Sequence, residues 1–332
     1  MFQCFGFANS REGLMLCFTL QEDAGSPYQA VCAIFSSLQK ARGECDCGMD
    51  EISGKHQAGS CGGAGAAFDA MDPDQKVALV RALRWPLSAS AGTPSCSTTP
   101  GRPVRPLLVD PKNLPRRRAL TTVAGRFALL HALAHIEFNA INLALDAICR
   151  FPGLPDDFYR DWLRVAQEEA EHFVLLREQL RRLGGDYGDL PAHDGLWEMA
   201  LDTAADPLVR MALVPRVLEA RGLDVTPAMR ERLLAAGDAE AAAVLERIER
   251  DERGHVAVGS RWFRYLCAQR GLEPDRTFKT LLQQRYRGRI QGPLALTARR
   301  AAGFSEPEPE LDWLQSRIGQ PAATKPEEAD HD

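Results

Sequence analysis

The stretch Val165-Ala166-Gln167-Glu168-Glu169-Ala170-Glu171-His172-Phe173 carries Glu169-x-x-His172 inside an otherwise apolar stripe. A helix turns by about 100° per residue, so side chains three apart lie one turn apart on nearly one face. Extending that face gives Trp162, Val165, Ala166, Glu169, His172, Phe173, Leu176 and Leu180, which places an acid and an imidazole within a core-facing surface. A carboxylate buried without a partner costs several kcal/mol, so a partner is required. The chain supplies one in Asp251-Glu252-Arg253-Gly254-His255, which repeats the motif as Glu252 and His255 between Ala241, Val244, Ile248 and Gly259, Trp262, Leu266.

Two further acids complete the pattern. Glu137 interrupts the face Leu130, Leu133, Ala134, Ile141, Ala144, Leu145 and Ile148, and Glu219 follows Leu208, Met211, Ala212 and Pro215. Glu137 precedes Glu169 by 32 residues (169 − 137) and Glu219 precedes Glu252 by 33 (252 − 219). One Glu from each of two helices and Glu-x-x-His from each of two others is the arrangement of dinuclear carboxylate bundles. Four carboxylates neutralise two divalent cations, so the buried acids are tolerable when metal is present. The fold expected is all-α: a ferritin-like four-helix bundle with a long crossover between helix pairs, plus short accessory helices.

The four long helices are expected from about Thr121 or Thr122 to Arg150, Asp156 to Leu183, Asp206-Pro207 onward, and Asp238 to Arg270. Pro152, Gly153, Gly184-Gly185 and Gly271 act as stops. Pro215 should kink the third helix one turn before Glu219, and Thr226-Pro227 should open a separate short helix. The crossover, Asp186 to Ala205, holds a helical piece around Trp197. This divides the chain into an extension (1–66), a short helix with a Pro- and Arg-rich strap (67–118), the bundle (119–271), and a basic segment with an acidic tail (272–332).

His131 and His135 are spaced for a metal of their own but lie to one side of the Glu137 face, which assigns them packing or supporting roles. Glu168 and Asp251, each preceding a motif acid, can accept from the distal nitrogen of a ligand histidine and fix its tautomer. Nine cysteines include Cys45-x-Cys47 with Cys61, a spacing that matches no standard zinc pair, so thiols in a reducing compartment are expected.

The net charge of −5 gives no global signature for nucleic acid or membrane. Locally, Arg276, Lys279, Arg285, Arg287, Arg289, Arg299 and Arg300 occur without an acid between 276 and 300, with Tyr286 interleaved. They form either a solvated arm or, through Arg285, Arg287 and Arg289, a surface for RNA or a phosphorylated ligand. No apolar run is expected to span a bilayer, and Gly13 to Leu20 follows Arg11 and Glu12 too closely for a signal peptide. A cytoplasmic protein with no membrane partner is expected.

The stretches His131-Ala-Leu-Ala-His135-Ile-Glu137, Gln167-Glu-Glu-Ala-Glu-His172-Phe, Leu218-Glu219-Ala-Arg-Gly-Leu-Asp224 and Asp251-Glu-Arg-Gly-His255 resemble the bacterial ferritin-like family catalogued as domain of unknown function 455. The resemblance runs from about Asp72 to Leu314 and does not reach residues 1–66. It implies a ferritin-like bundle with Glu137, Glu169, His172, Glu219, Glu252 and His255 as ligands. More distant relatives include a tRNA-modifying di-iron hydroxylase; the family resemblance supplies no substrate.

These donors suit two iron ions, with manganese as the alternative. A di-iron centre points to an O2-activating oxidase or hydroxylase that needs an electron donor and an unknown substrate. The alternatives are a ferroxidase or iron-storage protein without an organic substrate, and a bundle in which metal is only structural. A rubrerythrin-like peroxidase is disfavoured because no paired Cys-x-x-Cys module is present.

Overall fold

The computed structural model describes residues 62–87, 98–115, 119–286, 292–304 and 309–318. All of them belong to the unit His56–Asp332. The candidate thiols Cys45, Cys47 and Cys61 lie outside the described residues, as do Arg287 and Arg289.

Among the described residues the architecture is all-α, with no strand and a single isolated bridge between Leu108 and Ala192. Two short helices, α1 (Gly62–Asp69) and α2 (Pro73–Ala82), come first. Residues 62–66, expected to belong to the extension, instead open α1. Its Ala64, Ala67 and Phe68 are fully buried in the common core, so burial of apolar surface draws this segment in. Asp72 caps α2 by accepting from the Gln75 amide at 2.8 Å, and Pro73 occupies its first turn. Lys76 is fully buried and ties the two helices together, its Nζ donating to the carbonyls of Ala67 at 2.9 Å and Phe68 at 2.8 Å.

The bundle is α3 (Val123–Arg150), α4 (Asp156–Arg182), the run α6 (Pro207–Leu213) through α7 (Ala220–Ala235), and α8 (Ala239–Gln269), with α5 (Gly195–Asp202) in the crossover. Thr122 caps α3 through Gly125 at 3.0 Å. Gly184, at φ +90°, supplies the left-handed residue that ends α4. α3 and α4 pack along their length, as do α7 and α8, and the two pairs meet through α4 and α8. The face read outward from Glu169 is buried throughout, from Trp162 to Leu180. Each fully buried side chain of the size of Phe173 or Leu176 contributes roughly 1.5–3 kcal/mol.

By length and apolarity α3 is able to cross a membrane, contrary to the sequence expectation, but 72% of its most apolar window is buried inside the bundle. It also buries His131, His135, Glu137, Asn139, Asn142 and Asp146. Asp146 is held by Arg210 at 2.6 Å and Arg150 at 2.6 Å, a buried charge with its counter-charges at hand.

The expected kink at Pro215 takes the form of a π-helical turn, Val214–Glu219. Proline has no N–H to give the carbonyl one turn back, and the ladder widens at that point. Gly259 on α8 makes room for the proline ring, since a Cβ there would lie 2.3 Å from Pro215 Cβ and Cγ. The guanidinium of buried Arg216 sits among Phe263, Phe278 and Phe304, at 4.9, 4.7 and 4.3 Å from their ring centres. Thr226-Pro227 does not open a separate helix: α7 passes through Pro227, with Leu223 and Leu233 buried on either side of it. Packing of both halves outweighs the lost backbone bond.

Beyond the bundle follow α9 (Pro274–Arg285), α10 (Leu296–Ala301) and α11 (Pro309–Ser316). Arg299, counted with the basic run, is buried and bonded to Asp224 at 2.7 and 2.9 Å, so it clamps α10 onto α7. The described strap is pinned to the crossover by Ala192 N to Leu107 O at 3.0 Å, Val109 N to Ala192 O at 2.8 Å, and Arg102–Asp194 at 2.6 Å.

Candidate metal centre

Glu137 comes from the middle of α3, Glu169 and His172 from α4, Glu219 from the end of the π turn, and Glu252 and His255 from α8. Glu137, Glu169, His172 and Glu252 offer ligand atoms that all lie within 4.8 Å of one another. Glu169 is central: Oε2 lies 3.3 Å from His172 Nδ1 and Oε1 lies 2.9 Å from His255 Nδ1. Glu137 Oε2 is 3.5 Å from His172 Nδ1, and Glu252 Oε2 is 3.8 Å from His255 Nδ1. The two imidazoles face each other with centres 5.7 Å apart. Glu169 and His172 are fully buried, His255 is 1% exposed and Glu137 4%.

The distal nitrogens are held by acids from the opposite helix. His255 Nε2 donates to Glu168 Oε2 at 2.8 Å, and His172 Nε2 lies 3.3 Å from Asp251 Oδ2. With each Nε2 bonded outward, each Nδ1 is turned toward the carboxylates. Arg247, one turn before Asp251, donates to Asp251 Oδ2 at 2.5 Å and so steadies the acid that holds His172. The sequence reading missed Arg247; its i,i+4 spacing to Asp251 was the available signal.

Burial, and then Glu169, push the Glu137 carboxyl well above its ordinary range. Burial followed by Glu169 also raises Glu252, and burial with Glu252 and Glu169 raises Glu219 to about 8. Burial would raise Glu169 too, but His255 and His172 overcome it and hold that carboxyl well below its usual range. The histidines answer in kind: against burial, Glu137 and Glu169 raise His172 to about 11, and Glu169 and Glu168 raise His255 well above its normal value. Without metal, the protonated imidazoles thus supply positive charge around Glu169.

Four acidic oxygens, Glu137 Oε2, Glu169 Oε1, Glu219 Oε2 and Glu252 Oε2, are enclosed and make no hydrogen bond, and neither does His255 Nδ1. The 2.9 Å approach of His255 Nδ1 to Glu169 Oε1 does not have hydrogen-bond alignment. Buried polar atoms left in this state are costly, and a cation within the cluster of Glu137, Glu169, His172 and Glu252 relieves that cost. The donor set therefore fits a metal ion.

His135, expected to one side of the Glu137 face in a packing or supporting role, packs against the crossover and does not support the centre. It lies two positions before Glu137, about 200° around the helix. Its Nδ1 meets Tyr187 Oη at 2.9 Å and its Nε2 meets the His193 carbonyl at 3.0 Å. His131 Nε2 accepts from the Gly188 amide at 2.9 Å. Burial lowers both histidines to about 4, so both are neutral and serve to anchor the crossover on α3. Arg285 is exposed at the end of α9.

Fold and site define a class: a helical bundle with a buried carboxylate and histidine cluster able to hold a metal ion. The chain belongs to the family described as Protein of unknown function (DUF455), whose model matches residues 69–310 and thus takes in every residue of the cluster. It is similar to a Haemophilus influenzae protein, described as an uncharacterized protein, with 49% identity over 219 residues, 64% of this chain and 75% of the other. No solved structure matches the chain.

Proposed function

We propose that the protein is a cytoplasmic non-haem di-iron carboxylate oxidoreductase, an O2-activating oxidase or hydroxylase. The observation that carries this reading is the double role of Glu169, which lies between Nδ1 of His172 and Nδ1 of His255 and clusters with Glu137 and Glu252, each of which has an unpaired buried oxygen. These six residues would hold the metals, with iron favoured and manganese compatible with the same oxygen-rich donors. Bound as Fe(II), the pair supplies two electrons for O2 activation, and an external electron donor restores them. Glu168 and Asp251 hold the imidazole rings with Nδ1 inward, which preorganises the nitrogen donors. Complete burial of Glu169 and His172 keeps bulk water from the centre and strengthens its electrostatics.

Anaerobic loading with Fe(II) followed by elemental analysis tests the assignment. Two ions per chain are expected, with most of both lost in Glu169→Ala/Glu252→Ala; full occupancy in that double variant refutes the site. Repeated O2 and reductant cycles then separate cofactor from cargo. An enzyme keeps its iron and consumes O2 in near-stoichiometric amount. Continued oxidation of excess Fe(II) with accumulating ferric mineral identifies a ferroxidase instead.

A further inference from the structure

Outside the cluster, the described surface holds an open pocket of about 590 Å³ between the end of α2 and the outer face of α4. Four arginines line it: Arg81, Arg84, Arg160 and Arg164. Arg81 is neutralised by a two-pronged contact with Glu171, at 2.7 and 2.9 Å. Arg160 stacks over Trp85, 5.2 Å from its ring centre, and shares only an exposed contact with Asp157 at 3.0 Å. Arg84 donates to the carbonyls of Arg81 and Leu83, and neither Arg84 nor Arg164 forms an ion pair among the described residues. The pocket thus presents two guanidinium groups, those of Arg84 and Arg164, without an ion pair among the described residues. Planar guanidinium groups bind phosphate oxygens with two parallel hydrogen bonds.

The pocket wall also includes Glu168, the acid that accepts from His255 Nε2 at 2.8 Å and is 35% exposed. One side chain therefore has an oxygen on the buried imidazole and a face on the pocket. Glu168 and Glu169 are consecutive on α4, so an occupant of the pocket sits one residue from the acid between the two histidines.

We propose that this arginine-walled pocket binds a small phosphate-bearing molecule and that it is the substrate's anchoring site beside the metal centre. The anchoring role rests on the function proposed above, whereas anion binding does not require metal. The size of the pocket admits a single small molecule or one nucleotide unit, and Arg84 and Arg164 supply the charge to retain a phosphate group during turnover.

The test is calorimetric titration of metal-free protein with inorganic pyrophosphate, with citrate as a carboxylate of comparable charge. Saturable one-to-one binding of pyrophosphate, at least tenfold tighter than citrate, is expected. Arg84→Ala/Arg164→Ala should weaken it at least tenfold, with an unchanged circular dichroism spectrum because both side chains are exposed. Glu169→Ala should leave it unchanged, which separates this pocket from the metal cluster: loss of metal with intact pyrophosphate binding leaves the anion site standing even if the di-iron reading fails. Equal binding by wild type and the arginine variant, or no saturable binding, overturns the proposal. A short RNA stem-loop binding tenfold tighter than pyrophosphate through the same arginines overturns the small-molecule assignment.

Discussion

Glu168 on α4 accepts a hydrogen bond from Nε2 of His255 on α8 at 2.8 Å, so the ring of one motif is oriented by an acid belonging to the other. Outer partners of this kind typically govern metal affinity by 10- to 100-fold. Glu168→Ala should therefore weaken metal binding by about that factor, and Glu168→Gln, which keeps an acceptor oxygen, by much less. Competition with a coloured chelator measures both. Equal affinities in wild type and Glu168→Ala would show that the contact does not orient His255.

Metal and protons compete for the same atoms. His172 at about 11 and Glu219 at about 8 carry protons at pH 7, and Glu137 and His255 are shifted in the same upward direction. Loading must displace these protons, so apparent affinity should rise from pH 6 to pH 9, with net proton release at pH 7. Titrations in buffers of different ionisation enthalpy count the protons. No release would mean that the groups are already deprotonated in the metal-free protein.

Removal of metal should lower the melting temperature, because the enclosed oxygens of Glu137, Glu169 and Glu252 then lose the cation that relieves their burial. Scanning calorimetry before and after chelation, with metal content verified, reports the shift. Glu169→Ala should melt at nearly the same temperature with and without added Fe(II).

Lys76 gives a pH dependence of the opposite origin. Burial lowers its ammonium from 10.5 to about 7, so between these values the folded state is mostly neutral while the unfolded chain remains charged. The unfolded state then binds more protons, and stability rises with pH through that window. Below pH 7 the full cost of burying the cation is present; above about 10.5 the linkage ends. Relative to Lys76→Met, wild type should gain a few kcal/mol between pH 7 and pH 10, measured by urea unfolding. A constant difference across that range rules out a neutral Lys76.

Gly259→Ala should destabilise the protein by about 1–3 kcal/mol, as overpacking does. The added methyl falls 2.3 Å from Pro215 Cβ and Cγ and must push α8 off the π turn that delivers Glu219. Metal affinity should fall with stability. Urea unfolding and chelator competition together test this, and a fully stable variant would show that the turn yields without cost.

Periodicity sufficed to pick out Glu137, Glu169, His172 and Glu252, which the fold brings into one cluster, because an acid inside an apolar stripe is costly and two matched sets explain one another. What it lacked was information between helices. That Glu168 serves His255 and Asp251 serves His172 depends on how α4 and α8 lie side by side, which no spacing within one helix encodes. Helix periodicity put His135 to one side of the Glu137 face but could not choose between a packing and a supporting role; its contacts with Tyr187 and the crossover do. Pro215 announced a disturbance but not its form, since the π turn depends on the space opposite Gly259. The arginines of the pocket, Arg81 and Arg84 on one side and Arg160 and Arg164 on the other, are far apart in sequence and meet only when α2 docks on α4.

The exchange of acids between α4 and α8 makes the two helical hairpins mutually dependent. A hairpin of α3 and α4 contains Glu137, Glu169 and His172 but leaves His172 without Asp251, and its counterpart leaves His255 without Glu168. Neither can orient its own histidine, and sliding one past the other by a single helical turn would disengage both rings at once. The minimal unit that can host the centre is therefore the joined pair, aligned in one register, and the long crossover keeps the two halves in permanent company.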